Sequence, residues 1–381
     1  MTEKKRIHVM FLLPSLRGGG AERVTVHLLA GLDRSRFSPT LILAQREGPY
    51  LKDVPDDVEV IDLHRSRMRY TLLDLVRILR TRQPDILFSA MRHVNTVAIL
   101  AKLLSRSSTR FVASEHSVLP TSIQNRRQKT LREFMLKILY PLSDQVVAVS
   151  NGVASDLITS LSLAPDKVTT IYNPVVDSSL EDLKNEPVEH PWFAADRAVP
   201  VILGCGRLTN QKGFAYLIKA VARIQDQIPA RLVILGKGPL QAALNRLIHS
   251  LGLTDRIQLL GFQPNPYKFM ARADLFVLSS LWEGLGLALI EAMACGAPVI
   301  STDCPSGPGE IITHGVNGLL VPPGDVEALS AAIRKVLSDQ ESADQLSREG
   351  QHRAKDFRIC TSIRKYQELF LEVLGKNDQP S

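Results

Sequence analysis

The feature that most constrains the fold of this chain is a rhythm of apolar runs and amphipathic stretches that stops near the middle of its 381 residues and then starts again. The first series runs IHVMFLL, SPTLILA, VEVIDL, DILFSA, RFVASEH, QVVAVS and VTTIYN, with helical spacing from about Glu22 to Leu32, Leu72 to Arg82, Asn95 to Leu104 and Arg126 to Leu139. The second runs VPVILGCGR, RLVILGKG, IQLLGF, DLFVLSS and APVIST, with helical spacing near Phe214 to Gln225, Leu240 to Leu251 and Leu287 to Ala294. Strands this apolar along both faces need helices on both sides, which is the condition of a buried parallel sheet. Two such series, in a chain longer than the roughly 250–300 residues at which single cores stop growing, predict two α/β domains. The expected boundaries are 1–176 for the first domain, 177–199 for a polar, Pro-containing linker, 200–358 for the second domain, and 359–381 for a C-terminal helix that can cross back to the first. Sheets of this kind bind ligands at the carboxyl ends of their strands, so the expected site is a cleft between two facing domains.

Composition narrows the class further. Hydrophobic residues at 45% and charged residues at 22% argue against disorder. The N-terminal apolar run is too short for a signal sequence with its cleavage site and reads as the first strand. Nowhere do about 18 apolar residues run without a charge, so a spanning helix is not expected. Cys205, Cys295, Cys304 and Cys360 form no CxxC pair and suggest neither a disulfide framework nor a zinc site. A cytoplasmic setting follows as the expectation, with any membrane contact peripheral to the inner face.

The net charge of +7 is unevenly distributed. Residues 1–175 hold 25 Lys/Arg against 16 Asp/Glu, a balance of +9, while the remainder holds 21 against 23, a balance of −2. Either an anionic partner or an Arg-rich solvated surface gives this asymmetry. No aromatic-rich basic platform accompanies it, so nucleic acid is not an expected partner. The stretch RRQKTLREFMLKILY sets Arg126, Arg127, Lys129, Arg132 and Lys137 among apolar residues at helical spacing, a pattern shared by helices lying on anionic lipid and by packing helices with a solvated basic face.

The chemistry-bearing residues concentrate in the second series. VPVILGCG leads into Arg207, and Lys212 follows five residues later, just before a helix. Two fixed cations at a strand end suit a leaving group that gains negative charge. Further on, WEGLGLALIE places Glu283 and Glu291 eight residues apart across a glycine-rich strand-to-helix turn. Glycines allow a close backbone approach, and the amides of Gly286, Leu287 and Ala288 would face a diphosphate as helix N-termini do. A carboxylate accepts paired hydrogen bonds from vicinal hydroxyls, so one glutamate suits a transferred sugar and the other a ribose. Read singly, each of these residues is also what an ordinary surface cation or helix-capping acid would look like.

Taken together, GGGAERV near the N-terminus, the GRLxxxKG element, the EGxGxxxxxEAMACGxPVI block and the GxNGLLVPPGD run from Gly315 to Asp325 resemble glycosyltransferase family 4, with the GT-B fold of two facing Rossmann-like domains. The resemblance covers nearly the whole chain. It implies a retaining transferase that moves a hexosyl or N-acetylhexosaminyl group from a nucleotide sugar, a UDP-sugar being the expected donor, to a hydroxyl of a glycan or polyprenyl-linked acceptor. Arg207 and Lys212 would then hold the donor diphosphate, Glu283 the sugar and Glu291 the ribose. Gly19 and Gly20 would line the donor side of the first domain, and His116 would be presented to the sugar and reacting centre. The segment from Asp303 to Glu310 resembles the CPSGPxEI run of members that build polysaccharides or lipid-linked glycans. No DxD motif is present, so no metal and no cofactor are expected. The alternatives are a sugar-nucleotide epimerase or phosphorylase on the same fold, or a nucleotide-sugar-binding protein without turnover.

Overall fold

A computed structural model describes residues 6–118, 134–177 and 179–375. The chain divides into two compact units, one of Met1–Pro174 with Ile359–Ser381 and one of Val175–Arg358.

The first unit holds seven strands, β1 (Ile7–Leu13), β2 (Phe37–Leu43), β3 (Glu59–Asp62), β4 (Ile86–Ala90), β5 (Arg110–Glu115), β6 (Gln145–Ala148) and β7 (Val168–Thr170). They form one sheet in the order β3-β2-β1-β4-β5-β6-β7, and every pairing is parallel. The order reverses between β1 and β4. Each residue of β1 except His8 is buried, as an apolar run without alternation requires. One face is closed by helix Ile359–Val373, which buries Ile363, Tyr366, Leu369 and Phe370 at three- and four-residue spacing. Tyr366 and Phe370 pack edge-on against Phe88, and Phe370 also meets Phe11 and Phe37, with ring centroids 5.7–6.5 Å apart. Each such aromatic pair adds about 0.5–1.5 kcal/mol beyond burial. These rings tie the end of the chain to its first strands.

The second unit holds β8 (Val201–Cys205), β9 (Arg231–Leu235), β10 (Ile257–Gly261), β11 (Leu275–Leu278), β12 (Val299–Thr302) and β13 (Leu319–Val321). The sheet order is β10-β9-β8-β11-β12-β13, again all parallel, and it reverses between β8 and β11. Strand β13 and helices Val326–Ser338 and Gln340–Ala354 extend the unit beyond the elements read from the sequence. The stretch 177–199, read as a linker, carries helix Leu180–Asn185 and buries Trp192 and Phe193. Arg197 pairs with Asp274 at 2.9 Å and donates to the Arg272 carbonyl at 2.7 Å, and Asn265 donates to the Leu183 carbonyl at 2.7 Å. Buried aromatic rings and satisfied carbonyls fix this stretch to the second unit.

Of the basic stretch RRQKTLREFMLKILY, residues 134–140 are described, and 134–139 are helical. Arg126, Arg127, Lys129 and Arg132 lie outside the described residues.

Candidate functional site

Where strand order reverses, the chains leaving two neighbouring strands depart in opposite directions and open a crevice at their carboxyl ends. In the second unit these strands are β8 and β11. Past β8 the chain passes Gly206 and Arg207, makes a short 3-10 turn at Asn210–Lys212, and enters helix Phe214–Ile224 through Gly213 at φ 61. A side chain at Gly213 would put its Cβ 2.0 Å from the Ser279 carbonyl oxygen, so only glycine allows this turn to lie against the end of β11.

Hydrogen bonds hold that contact in place. Ser279 Oγ donates to the Lys212 carbonyl at 2.9 Å, the Leu281 amide to the Gln211 carbonyl at 2.7 Å, and Gln211 Nε2 to the Trp282 carbonyl at 3.0 Å. The consequence is a fixed meeting of two side chains that lie 71 residues apart in sequence: Lys212 Nζ sits 2.5 Å from Glu283 Oε1. Ser280 Oγ donates to the same oxygen at 2.6 Å, and the Ser280 carbonyl accepts from Thr302 Oγ1 at 2.5 Å. Glu283 is only 5% exposed. Burial, and then the charge of Glu283, push the Cys304 thiol up to about 12. Arg207 stands exposed at the same strand end, with no ion-pair partner among the described residues.

After Glu283 the chain turns through Gly286 at φ 94 into helix Leu287–Cys295, whose N-terminus no side chain caps. The first amides of a helix have no carbonyl of their own to bond, so Gly286, Leu287 and Ala288 begin an N-terminus suited to an anion. The segment after β12 braces this turn. Ser306 Oγ donates to the Gly284 carbonyl at 2.8 Å, and a Cβ at Gly307 would lie 2.5 Å from the Leu285 carbonyl oxygen. Glu291, in the same helix, is also 5% exposed, with the Tyr267 hydroxyl 3.5 Å from its Oε1.

The remaining sequence-derived residues belong to the first unit. Gly19 caps helix Gly20–Gly31, and Glu22 of the first turn folds back over it, so that a Cβ at Gly19 would come 2.1 Å from a Glu22 carboxylate oxygen. His116 follows β5, with Nε2 3.2 Å from Ser114 Oγ. Although the residue as a whole is only partly buried, desolvation lowers its imidazole to about 4. It is therefore neutral at ordinary pH.

Sequence reasoning missed the groups that hold His116 in place. Glu115, 1% exposed, accepts from Arg92 at 3.0 Å, from Asn95 Nδ2 at 3.0 Å and from the Tyr140 hydroxyl. Arg92 also donates to the Ser117 carbonyl at 3.0 Å, so one guanidinium grips the chain on both sides of His116. Burial, followed by the charge of Glu115, holds the Tyr140 phenol well above its ordinary value. An acid closing the run RFVASE was a readable signal; its partners, 20 to 25 residues away, were not. Ser280, only three residues before the Glu283 it donates to, was missed as well. Among the described residues no group of three His, Cys, Asp or Glu side chains is placed to hold a metal ion.

The second-unit arrangement brings together an ammonium, a guanidinium, an uncapped helix N-terminus and a buried carboxylate at one strand-order reversal. The first three bind anions, and the last accepts hydrogen bonds from hydroxyls. Residues 190–353 match the family described as glycosyl transferases group 1, and residues 18–178 match glycosyltransferase family 4. The chain is 30% identical over 368 residues to N-acetylgalactosamine-N,N'-diacetylbacillosaminyl-diphospho-undecaprenol 4-alpha-N-acetylgalactosaminyltransferase of Campylobacter jejuni, covering 92% of this chain and 97% of that protein. A glycosyltransferase from Rickettsia africae has the same fold at a TM-score of 0.78 and 23% identity, over 99% of this chain and 100% of that one. So does Anabaena HepE in complex with UDP-glucose, at a TM-score of 0.78 and 22% identity, over 96% and 100%. With both halves matched by these families and a relative aligned over nearly its full length, the chain belongs to the GT-B glycosyltransferases of family 4.

Proposed function

We propose that this protein is a retaining glycosyltransferase that moves a hexosyl or N-acetylhexosaminyl group from a UDP-sugar to a hydroxyl of a polyprenyl-diphosphate-linked glycan. The observation that carries this reading is the Lys212–Glu283 pair at 2.5 Å, which joins the loop after β8, where Arg207 stands, to the turn that leads through Gly286 into the helix. In it Arg207, Lys212 and the amides of Gly286, Leu287 and Ala288 hold the donor diphosphate. Glu283 takes hydroxyls of the sugar, and Glu291 takes those of the ribose. Gly19 and Gly20 allow close approach of the first-unit backbone, and His116 offers a neutral imidazole to the sugar.

The bond from the anomeric carbon to the β-phosphate oxygen breaks while the acceptor oxygen bonds to the same face of that carbon. The acceptor proton passes to the departing phosphate oxygen. Preorganised cations stabilise the charge that collects there, a term worth about 10²–10³ in rate for one donor group. The Campylobacter relative, named as a transferase to a diphospho-undecaprenol-linked acceptor, supports the acceptor class, and the UDP-glucose complex of HepE supports the donor class.

A further observation favours a lipid-borne acceptor. Phe134, Met135 and Ile138 of the 134–139 helix and Leu142 just beyond are all exposed, beside Lys137, where a soluble surface would present polar groups. Apolar side chains with basic neighbours suit a surface lying on anionic lipid. No helix among the described residues is long and apolar enough to cross a membrane.

The test is a panel of labelled nucleotide sugars offered with phosphatidylglycerol vesicles carrying bacterial polyprenyl-linked glycans. The expected outcome is labelled sugar on the glycan in the donor's anomeric configuration, with the protein sedimenting with the vesicles. Inversion, or an isolated covalent glycosyl-enzyme, overturns the mechanism; donor isomerisation without transfer points to an epimerase.

A further inference from the structure

We propose that Glu283 separates the sugar-bearing donor from the spent nucleotide by competing with the diphosphate for Lys212. The proposal rests on the site reading above and extends it to product release.

The argument starts from what can and cannot move. The backbone around Lys212 is stitched to the backbone around Glu283 by the Ser279, Leu281 and Gln211 hydrogen bonds. The stem of Lys212 lies along Gly206, where an added Cβ would fall 3.1–3.3 Å from its Cγ, Cδ and Cε. What remains free to turn is the ammonium end, which sits on Glu283 Oε1 at 2.5 Å. To serve a diphosphate it must leave, wholly or in part, a carboxylate that is 5% exposed and keeps, among the described residues, Ser280 Oγ on that oxygen. A buried carboxylate stripped of its cation is costly.

An intact nucleotide sugar offsets that cost and a nucleoside diphosphate does not. The sugar brings hydroxyl donors to the carboxylate as the diphosphate draws the ammonium away. Once the sugar has been transferred, Glu283 loses those donors and takes Lys212 back, which loosens the remaining nucleotide. The pair thus favours loaded donor over product.

Titration calorimetry on the full chain tests this. UDP, GDP and ADP are compared first, and the tightest is used as probe. Glu283→Gln, which leaves Lys212 unheld, is expected to bind the probe about tenfold more tightly than wild type while transferring sugar more slowly, a gain of about 1.4 kcal/mol. Lys212→Met is expected to bind it more weakly, and Glu283→Gln should confer no gain in that background. Ser280→Ala shifts affinity the other way, because the abandoned carboxylate then has less to hold it, and it serves if Glu283→Gln does not fold. Unchanged or weaker binding by Glu283→Gln, or unchanged binding by Ser280→Ala, with Lys212→Met still weakened, overturns the competition and leaves the site reading standing. If none of the three nucleotides binds, or if neither Lys212→Met nor Arg207→Ala affects binding, the site reading falls and takes the competition with it.

Discussion

At the carboxyl ends of its strands the first unit ties Arg92 and Glu115 to one another, whereas the second pairs Lys212 with Glu283 but leaves Arg207 available. Arg92 and Glu115 are 8% and 1% exposed and bonded at 3.0 Å. Glu115 also accepts from Asn95 and Tyr140, and Arg92 donates to the Ser117 carbonyl, while the Arg92 Nε is buried without a partner among the described residues. Arg207, at the equivalent end of β8, is exposed and without an ion-pair partner among the described residues, and the Lys212 side chain keeps 18% of its surface in reach of solvent. Two sheets with the same reversal of strand order therefore both hold a buried ion pair, and the second adds an exposed guanidinium at its strand end. A closed network rigidifies, because each partner is satisfied only in one geometry. An open cation is of use only to something that arrives. The difference predicts that damage to the first unit appears as lost stability and damage to the second as lost turnover.

The largest expected effect falls on the first unit. Arg92→Met leaves Glu115 buried with no cation, and removing one partner of a buried pair costs about 3–5 kcal/mol. Urea denaturation should show that loss, and Arg92→Met with Glu115→Gln should recover more than half of it, since no charge then remains buried. Equal losses in the single and double variants would mean that the shape of Arg92, rather than its charge, holds the network, and the contrast between the units would lose its electrostatic basis.

Arg207→Ala is the matching experiment on the second unit. Removing one preorganised group that meets developing charge lowers kcat by about 10²–10³. The midpoint of denaturation should stay at the wild-type value, because the guanidinium makes no hydrogen bond or ion pair among the described residues. Near-normal turnover counts against the role of Arg207, and a lowered midpoint counts against the division between stability and function.

How far the sequence reaches follows the same physics. The sheets were legible because strands buried on both faces, such as IHVMFLL and VPVILGC, have no polar alternation to confuse them with surface strands. Strand β13, three residues at a sheet edge, was not, although β7, just as short and also at an edge, was. In the site, Arg207 and Lys212 stood out by their place after an apolar run, and Glu283 by its glycine-rich turn. That Lys212 touches Glu283 was unreadable, because only the pairing of β8 with β11 brings positions 71 residues apart together. The Arg92–Glu115–Tyr140 network is hidden in the same way. Local pattern reports which face a residue occupies, and long-range pairing decides which residue it meets.

The smallest effect sharpens the comparison at His116, a candidate for chemistry that sits in the unit of closed networks. Its imidazole is lowered to about 4 by burial. Between roughly pH 6.5 and 4 the unfolded chain therefore takes up a proton that the folded chain refuses, so stability falls as pH falls through that window and levels off below it. His8 is lowered as well, by burial first, and contributes in the same direction. The His116 share is isolated by comparing wild type with His116→Asn between pH 7 and 5, where wild type should lose about 1 kcal/mol more after allowance for partial exposure. The same neutrality sets the catalytic expectation. A histidine uncharged throughout pH 5–8 acts on the sugar as a hydrogen-bonding group and not as a cation, so kcat/KM should show no inflection near 6.5 that His116→Asn removes. Such an inflection would mean that His116 is charged when donor is bound, and that the first unit too keeps one open charge for the reaction.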